Sequence, residues 1–145
     1  MTELILTRYI HFLGIMIVFA MVVVEFVLIQ KQVSRKLVKK LFVIDGIYGL
    51  SSLIVVAAGL YLWFGTGKPE AYYNQNGLFH AKVGLFVLVG ILSLWPTVFY
   101  FKNRKGASDD VITIPSRIKK IVLVELVLLI IIPVLATLMA QGVGL

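Results

Sequence analysis

The chain contains no cysteine and few charged residues. The absence of cysteine excludes disulfides, thiolate metal ligands and a cysteine nucleophile. Charged residues make up 14% of the 145 residues, well below the roughly 25% of soluble proteins. Hydrophobic residues make up 60%, and the mean hydropathy is +1.00. This composition excludes an ordinary soluble domain and indicates an integral membrane protein.

The apolar residues form four long, continuous runs. Strands of a membrane β-barrel would instead show alternating segments of about 10 residues. Each run reaches the roughly 20 residues that a membrane-spanning helix needs. The first run lacks a basic start and is too long for a signal peptide, so we expect it to remain as a span. We predict one all-α domain, residues 1–145, an up-down four-helix transmembrane bundle with spans at about 3–30, 41–64, 77–101 and 117–139.

The net charge of +7 is concentrated in two connections between spans. Eleven of the fourteen lysines and arginines lie within residues 31–40 and 102–120. The positive-inside rule accounts for this pattern, so it predicts a lipid bilayer around the chain and no nucleic-acid partner. It also predicts that both basic connections are cytoplasmic and that both termini lie outside. We expect residues 102–120 to form a mobile loop.

Two histidines are predicted to lie at one depth, in the first and third spans. His11 precedes the first basic connection by twenty residues and His80 precedes the second by twenty-two. A rise of 1.5 Å per residue places them roughly 30 and 33 Å along their helices. Arg8 lies one turn from His11, and Lys82 follows His80 closely. Ionisable groups within a membrane are costly and mark candidate functional sites.

Three interpretations of these histidines are open. Each ring can be a neutral histidine hydrogen-bonded across the bundle. Zinc would need further ligands at that depth, and the sequence offers neither cysteine nor a third histidine. Alternatively, His11 and His80 can ligate the iron of haem b from both sides, or one can be the axial ligand while the other serves a substrate. Arg8 and Lys82 would then lie next to the anionic propionates of the haem. Two helical residues span about 200°, so His80 and Lys82 cannot both point at one ligand.

Three carboxylates form a second predicted layer, near the basic connections. Glu25, Asp45 and Glu125 each lie five or six residues from a basic residue, and Tyr48 is one turn from Asp45. These acids can pair with loop lysines or with hydroxyls such as that of Tyr48. A proton or cation site is the alternative, although the spacing matches no metal motif.

Several short segments resemble known membrane families. Arg8-Tyr9-Ile10-His11 and Phe79-His80-Ala81-Lys82-Val83-Gly84-Leu85 resemble the Lys-x-x-His and Trp-Leu-His-x-Lys-Leu segments of HemJ-type protoporphyrinogen oxidases. A wider resemblance is to a family of small bacterial four-helix membrane proteins without an assigned function. The segments that carry it are Arg8–Phe12, Asp45–Gly49, Leu78–Phe86 and Gly90–Thr97.

The HemJ resemblance implies haem b and a porphyrin ligand, and its superfamily includes CopD-like membrane proteins. It implies that His11 is a haem ligand and that His80 with Lys82 matches the third-helix His-x-Lys. The chain departs from the HemJ pattern at Glu25 and Asp45, where HemJ-type helices carry Pro-Arg and basic residues. The resemblance also implies a bacterial inner membrane, which would make the outside termini periplasmic.

Three functional hypotheses follow. The first is a haem-binding protein in electron transfer or in redox chemistry on a membrane-accessible small molecule, with His11, His80, Arg8 and Lys82 as its site. The second is a small transporter or ion-coupled carrier that uses Glu25, Asp45, Tyr48 and Glu125, and such a carrier favours a homo-oligomer. The third is a membrane scaffold without catalysis. The sequence assigns no catalytic residue.

Overall fold

Four long helices dominate the structure, a computed structural model that describes all 145 residues. Helices and strands follow in the order α1 (Thr2–Leu28), β1 (Gln32–Ser34), α2 (Arg35–Tyr61, continued by a π-helical segment Leu62–Thr66), α3 (Glu70–Asn74), α4 (Gly77–Asn103), β2 (Val111–Thr113) and α5 (Ser116–Ala140). By length and composition α1, α2, α4 and α5 can each cross a membrane. The prediction of an all-α membrane protein with four spanning helices is confirmed.

Short polar side chains determine where two of the long helices begin. The hydroxyl of Ser34 accepts a hydrogen bond from the Leu37 N–H (3.2 Å), so α2 starts at Arg35, six residues before the predicted residue 41. The side chain of Asn76 accepts from the Leu78 N–H (2.9 Å) and caps α4. Such caps satisfy backbone donors that the first helical turn leaves without partners.

The long helices form two antiparallel pairs that close into a ring. Helix α1 packs along α2 and α4 packs along α5, and narrower contacts of α1 with α5 and of α2 with α4 join the two pairs. Helices α1 and α4 therefore lie on one diagonal of the bundle, and α2 and α5 on the other. Side chains from diagonal helices can meet only near the bundle axis.

The two basic connections are joined by a small sheet. Strand β1 pairs antiparallel with β2, with Val33 opposite Ile112. Arg35 forms an ion pair with Asp110 (3.4 Å) and donates to the carbonyl of Lys105. Residues 111–113 are thus anchored, and the expectation of a mobile loop is wrong for them. We call this end of the bundle the basic end and the opposite end the far end.

The buried apolar core is concentrated toward the basic end. Val38, Leu41 and Val122 are fully buried there, and Ile118 is 3% exposed. Val33, the central residue of β1, and Ile114, which follows β2, add to the same cluster. Most outward-facing side chains of the long helices are exposed and apolar, as a lipid environment requires.

Gly14 allows the close approach of α1 to α2. A Cβ at Gly14 would lie 2.7 Å from Cγ2 of Val55, whereas a Cβ at Gly90 would meet nothing within 4 Å. We predict that Gly14→Ala lowers the free energy of unfolding by about 1–3 kcal/mol, because overpacking forces the helices apart. Thermal unfolding in detergent, followed by circular dichroism, measures this.

Gly90→Ala is the matched control, and we expect it to leave the unfolding temperature unchanged or raise it. Equal effects of the two substitutions would contradict the close packing at Gly14.

Candidate functional site

Three carboxyl side chains meet on the bundle axis near the basic end. Glu25 comes from α1, Asp45 from α2 and Glu125 from α5, and their exposed fractions are 0%, 6% and 1%. In α1, the buried residues Val18 and Val22 share the helix face of Glu25, so the packing that buries the valines also turns the carboxyl inward. We call these three groups the carboxyl centre.

Hydroxyl groups satisfy part of the carboxyl centre. The Tyr48 hydroxyl donates to Oε1 of Glu125 (3.1 Å), which links α2 to α5 across the diagonal. The Thr97 hydroxyl of α4 donates to Oδ2 of Asp45 (2.5 Å). The carboxyl of Glu25 lies within hydrogen-bonding reach of the Asp45 carboxyl. All four long helices thus contribute to one polar cluster.

The sequence analysis missed two members of this cluster, Thr97 and Tyr100 on α4. Tyr100 is fully buried, and its hydroxyl is close enough to all three carboxyls to interact with their charges. A signal for both existed in the sequence. They lie three residues apart on one helix face, and Thr97 precedes Lys102 by five residues, as Asp45 follows Lys40 by five.

Several buried oxygens of the cluster have no hydrogen-bond donor. Both carboxyl oxygens of Glu25, Oε2 of Glu125 and the hydroxyl of Tyr100 lack a partner. The ion pair between Arg35 and Asp110 is the only one in the structure, so no cation neutralises the carboxyl centre. Three uncompensated negative charges in a dry interior would cost several kcal/mol each. The centre therefore requires protons or a bound cation.

The predicted pairing of these acids with loop lysines is not found, because the only ion pair of the structure joins Arg35 to Asp110. Lys119 is half-buried, but its ammonium donates to the Ile29 carbonyl (3.0 Å) and lies 4.9 Å from the ring centre of Phe26. The alternative pairing with a hydroxyl is present at Tyr48 and Glu125.

His11 lies between α1 and α2 in the far half of the bundle. The ring is half-buried, and its Nδ1 is 3.0 Å from the Val55 carbonyl oxygen. Gly59 makes room for it, since a Cβ there would lie 3.2 Å from Cε1 of the ring. If Nδ1 donates to this carbonyl, Nε2 is left as an acceptor. Lys82 is close enough to His11 for a charge interaction across the diagonal.

The structure does not bring His80 toward His11. His80 is exposed, and its Nε2 is 2.9 Å from the carbonyl oxygen of Asn74 in the preceding connection. Lys82 is half-buried on the inward side of α4, so the roughly 200° between the two positions turns His80 outward. Arg8 is exposed at the far end and forms no ion pair. The expected arrangement of two facing imidazoles is therefore not found.

Two buried tyrosines provide a test of the hydrogen bonding in the carboxyl centre. We predict that Tyr48→Phe lowers the free energy of unfolding by about 1–3 kcal/mol, because it leaves Oε1 of Glu125 without its donor. Tyr100→Phe is the matched control, since its hydroxyl has no partner to lose. Thermal unfolding in detergent compares them, and a larger loss for Tyr100→Phe would contradict the described bonding.

The chain was compared with known protein families, curated proteins and solved structures. A family model described as "Predicted membrane protein (DUF2214)" matches residues 4–144. No curated protein and no solved structure matches the chain. The prediction of a membrane family without an assigned function is confirmed, and the comparisons add no support for the HemJ or CopD resemblance. Because the match spans nearly the whole length, the chain belongs to the DUF2214 family of predicted membrane proteins.

Proposed function

We propose that this protein is an ion-coupled membrane carrier whose carboxyl centre binds and releases protons. The observation that carries the proposal is the environment of Glu25. This side chain is fully buried at the meeting point of the helices, and neither of its oxygens has a donor. Buried carboxyls without a counter-ion are costly in a membrane protein and mark ion or proton pathways.

A proton shared between two carboxyls would provide Glu25 with the hydrogen bond that no donor of the chain provides. If Glu25 or Asp45 carries a proton, one carboxyl donates to the other and the missing hydrogen bond forms. Glu125 lies in the same cluster and accepts a hydrogen bond from Tyr48. Each proton that the cluster binds lowers the negative charge of the three acids by one.

The packing around the carboxyl centre favours a carrier over an open pore. Val38, Leu41, Ile118 and Val122 separate the centre from the basic end, and none of them is more than 3% exposed. A proton cannot cross this apolar layer through a continuous file of water. Release at the basic end therefore requires a displacement of the helices. We propose that the basic end faces the cytoplasm of a bacterial inner membrane.

We predict that Glu25→Gln weakens proton binding in the carboxyl centre, because it removes the carboxyl that has no donor. Infrared spectroscopy of the reconstituted protein measures the C=O stretching band of protonated, buried carboxyls, which we expect to be weaker in this variant than in the wild type. Proteoliposomes with a trapped pH indicator measure proton uptake under an imposed pH gradient. We expect the uptake of Glu25→Gln to fall to the rate of protein-free liposomes.

Glu3→Gln is the matched control, because Glu3 is an exposed acid on the same helix. We expect it to keep both the infrared band and the uptake. Wild-type uptake in the Glu25→Gln variant would contradict the proposal, and so would the absence of the protonated band from the wild type.

Haem b binding at His11 is a second candidate, favoured by the hydrogen bond of its ring. A metal-bound histidine usually donates its second ring N–H to a carbonyl or carboxylate, and the Val55 carbonyl takes this place for Nδ1. Nε2 is then available to the iron, and the ammonium of Lys82 fits an anionic propionate. Haem would supply one-electron chemistry. The residues around His11 fit a haem whose iron has one axial ligand from the chain, because the ring of His80 faces away from His11.

The haem candidate predicts a difference between the two histidine variants. Titration of the detergent-purified protein with haem should give a Soret band, which His11→Ala removes and His80→Ala keeps. A wild-type protein without the band, or a His11→Ala variant with an unchanged spectrum, would rule out this candidate and leave the carrier proposal unaffected.

A further inference from the structure

A cleft at the basic end separates the end of α1 from the beginning of α5. Its walls are residues 29–31, residues 113–116 and the first turns of α5. The N–H of Ile114 donates to the carbonyl of Lys31 (2.9 Å), and the adjoining residues 32 and 113 are partners in the small sheet. The two walls are therefore held at a fixed separation.

The cleft is lined by three lysines and by no acid. Lys31, Lys119 and Lys120 line it together with the hydroxyl residues Thr113 and Ser116. None of the three ammoniums has a carboxylate within ion-pair distance. Like charges gathered in one cleft repel each other, so an anion that enters it lowers the electrostatic energy. The hydroxyl groups of Thr113 and Ser116 provide neutral hydrogen-bond donors for the oxygens of such an anion.

The position of the cleft indicates the source of the anion. Helix α1 ends and α5 begins at this level, which is where the headgroups of the bilayer lie. Directly beyond the cleft, the outer surface of these helices is apolar and exposed, including Val27 at 65% and Val124 at 46%. A ligand that joins a phosphate to acyl chains matches both the basic cleft and this surface.

We propose that the cleft between α1 and α5 binds the phosphate of an anionic phospholipid headgroup. Basic pockets between membrane helices on the cytoplasmic side recognise such headgroups. Lipid binding at this cleft does not require proton binding at the carboxyl centre, so the two proposals are independent.

A second basic cleft, between α2 and α4, provides a matched control. It contains Lys39, Arg104 and Lys105, which is also three cations. In each cleft one cation already contacts the chain, Lys119 in the first and Arg104 in the second, but the second cleft has no hydroxyl donor. The guanidinium of Arg104 lies 4.1 Å from the ring centre of Phe101 and 5.3 Å from that of Phe42, and it donates to the Phe101 carbonyl. Removing two lysines from either cleft changes the net charge equally.

Native mass spectrometry of the detergent-purified full chain tests the proposal with phosphatidylglycerol as the probe and phosphatidylcholine as the neutral reference. We expect the double variant Lys31→Gln/Lys120→Gln to bind phosphatidylglycerol about 25-fold more weakly, since each ammonium near an anionic lipid contributes about fivefold. We expect Lys39→Gln/Lys105→Gln to keep most of the wild-type affinity. Circular dichroism checks that both variants are folded.

Two outcomes would overturn the proposal. Equal losses in the two double variants would show that the lipid responds to the overall charge of the basic end. Displacement of phosphatidylglycerol by inorganic phosphate at comparable concentration would show that the cleft takes a free anion and gains nothing from the acyl chains.

Discussion

The cost of negative charge in a dry helical bundle constrains the rest of this structure. Glu25, Asp45 and Glu125 lie where all four long helices meet, and the only ion pair of the chain lies outside the bundle, between Arg35 and Asp110. In hydrocarbon surroundings such a cluster is stable only if its charge is removed or balanced. The hydroxyls of Tyr48 and Thr97 donate to two of the carboxyl oxygens. Both oxygens of Glu25 and Oε2 of Glu125 have no donor.

The rest of the fold holds that centre away from water at the basic end. Ser34 starts α2 early, the strands β1 and β2 join the two basic connections, and Arg35 anchors the second connection through Asp110. Apolar side chains then fill the space between this small sheet and the acids. The far half of the bundle is different, because half-buried His11 and Lys82 lie there beside buried apolar residues such as Phe79 and Val55.

The sequence predicted the features that depend on the length of the apolar runs and on the number of residues between polar positions. Uninterrupted apolar runs specify four spans, and equal distances from the basic residues place the three acids at one level. The rotation of a helix about its own axis, which determines the side chains that face inward, is harder to predict from the sequence. The reason is that almost every face of these helices is apolar. The choice between His80 and Lys82 for the interior depends on that rotation. Strands of three residues are too short to give a pattern, and Thr97 and Tyr100 are inconspicuous within an apolar run.

The diagonal hydrogen bond from Tyr48 to Glu125 has a consequence for motion. Helices α1 and α2 form one hairpin, α4 and α5 form the other, and contacts between the hairpins are narrow. The Tyr48 hydroxyl donates to Glu125, and the Thr97 hydroxyl donates to Asp45. Both hydrogen bonds join α2 to the second hairpin, so they hold the two hairpins together. Because each of these hydrogen bonds includes a carboxyl group, the charge of the acids also determines how strongly the two hairpins are held together.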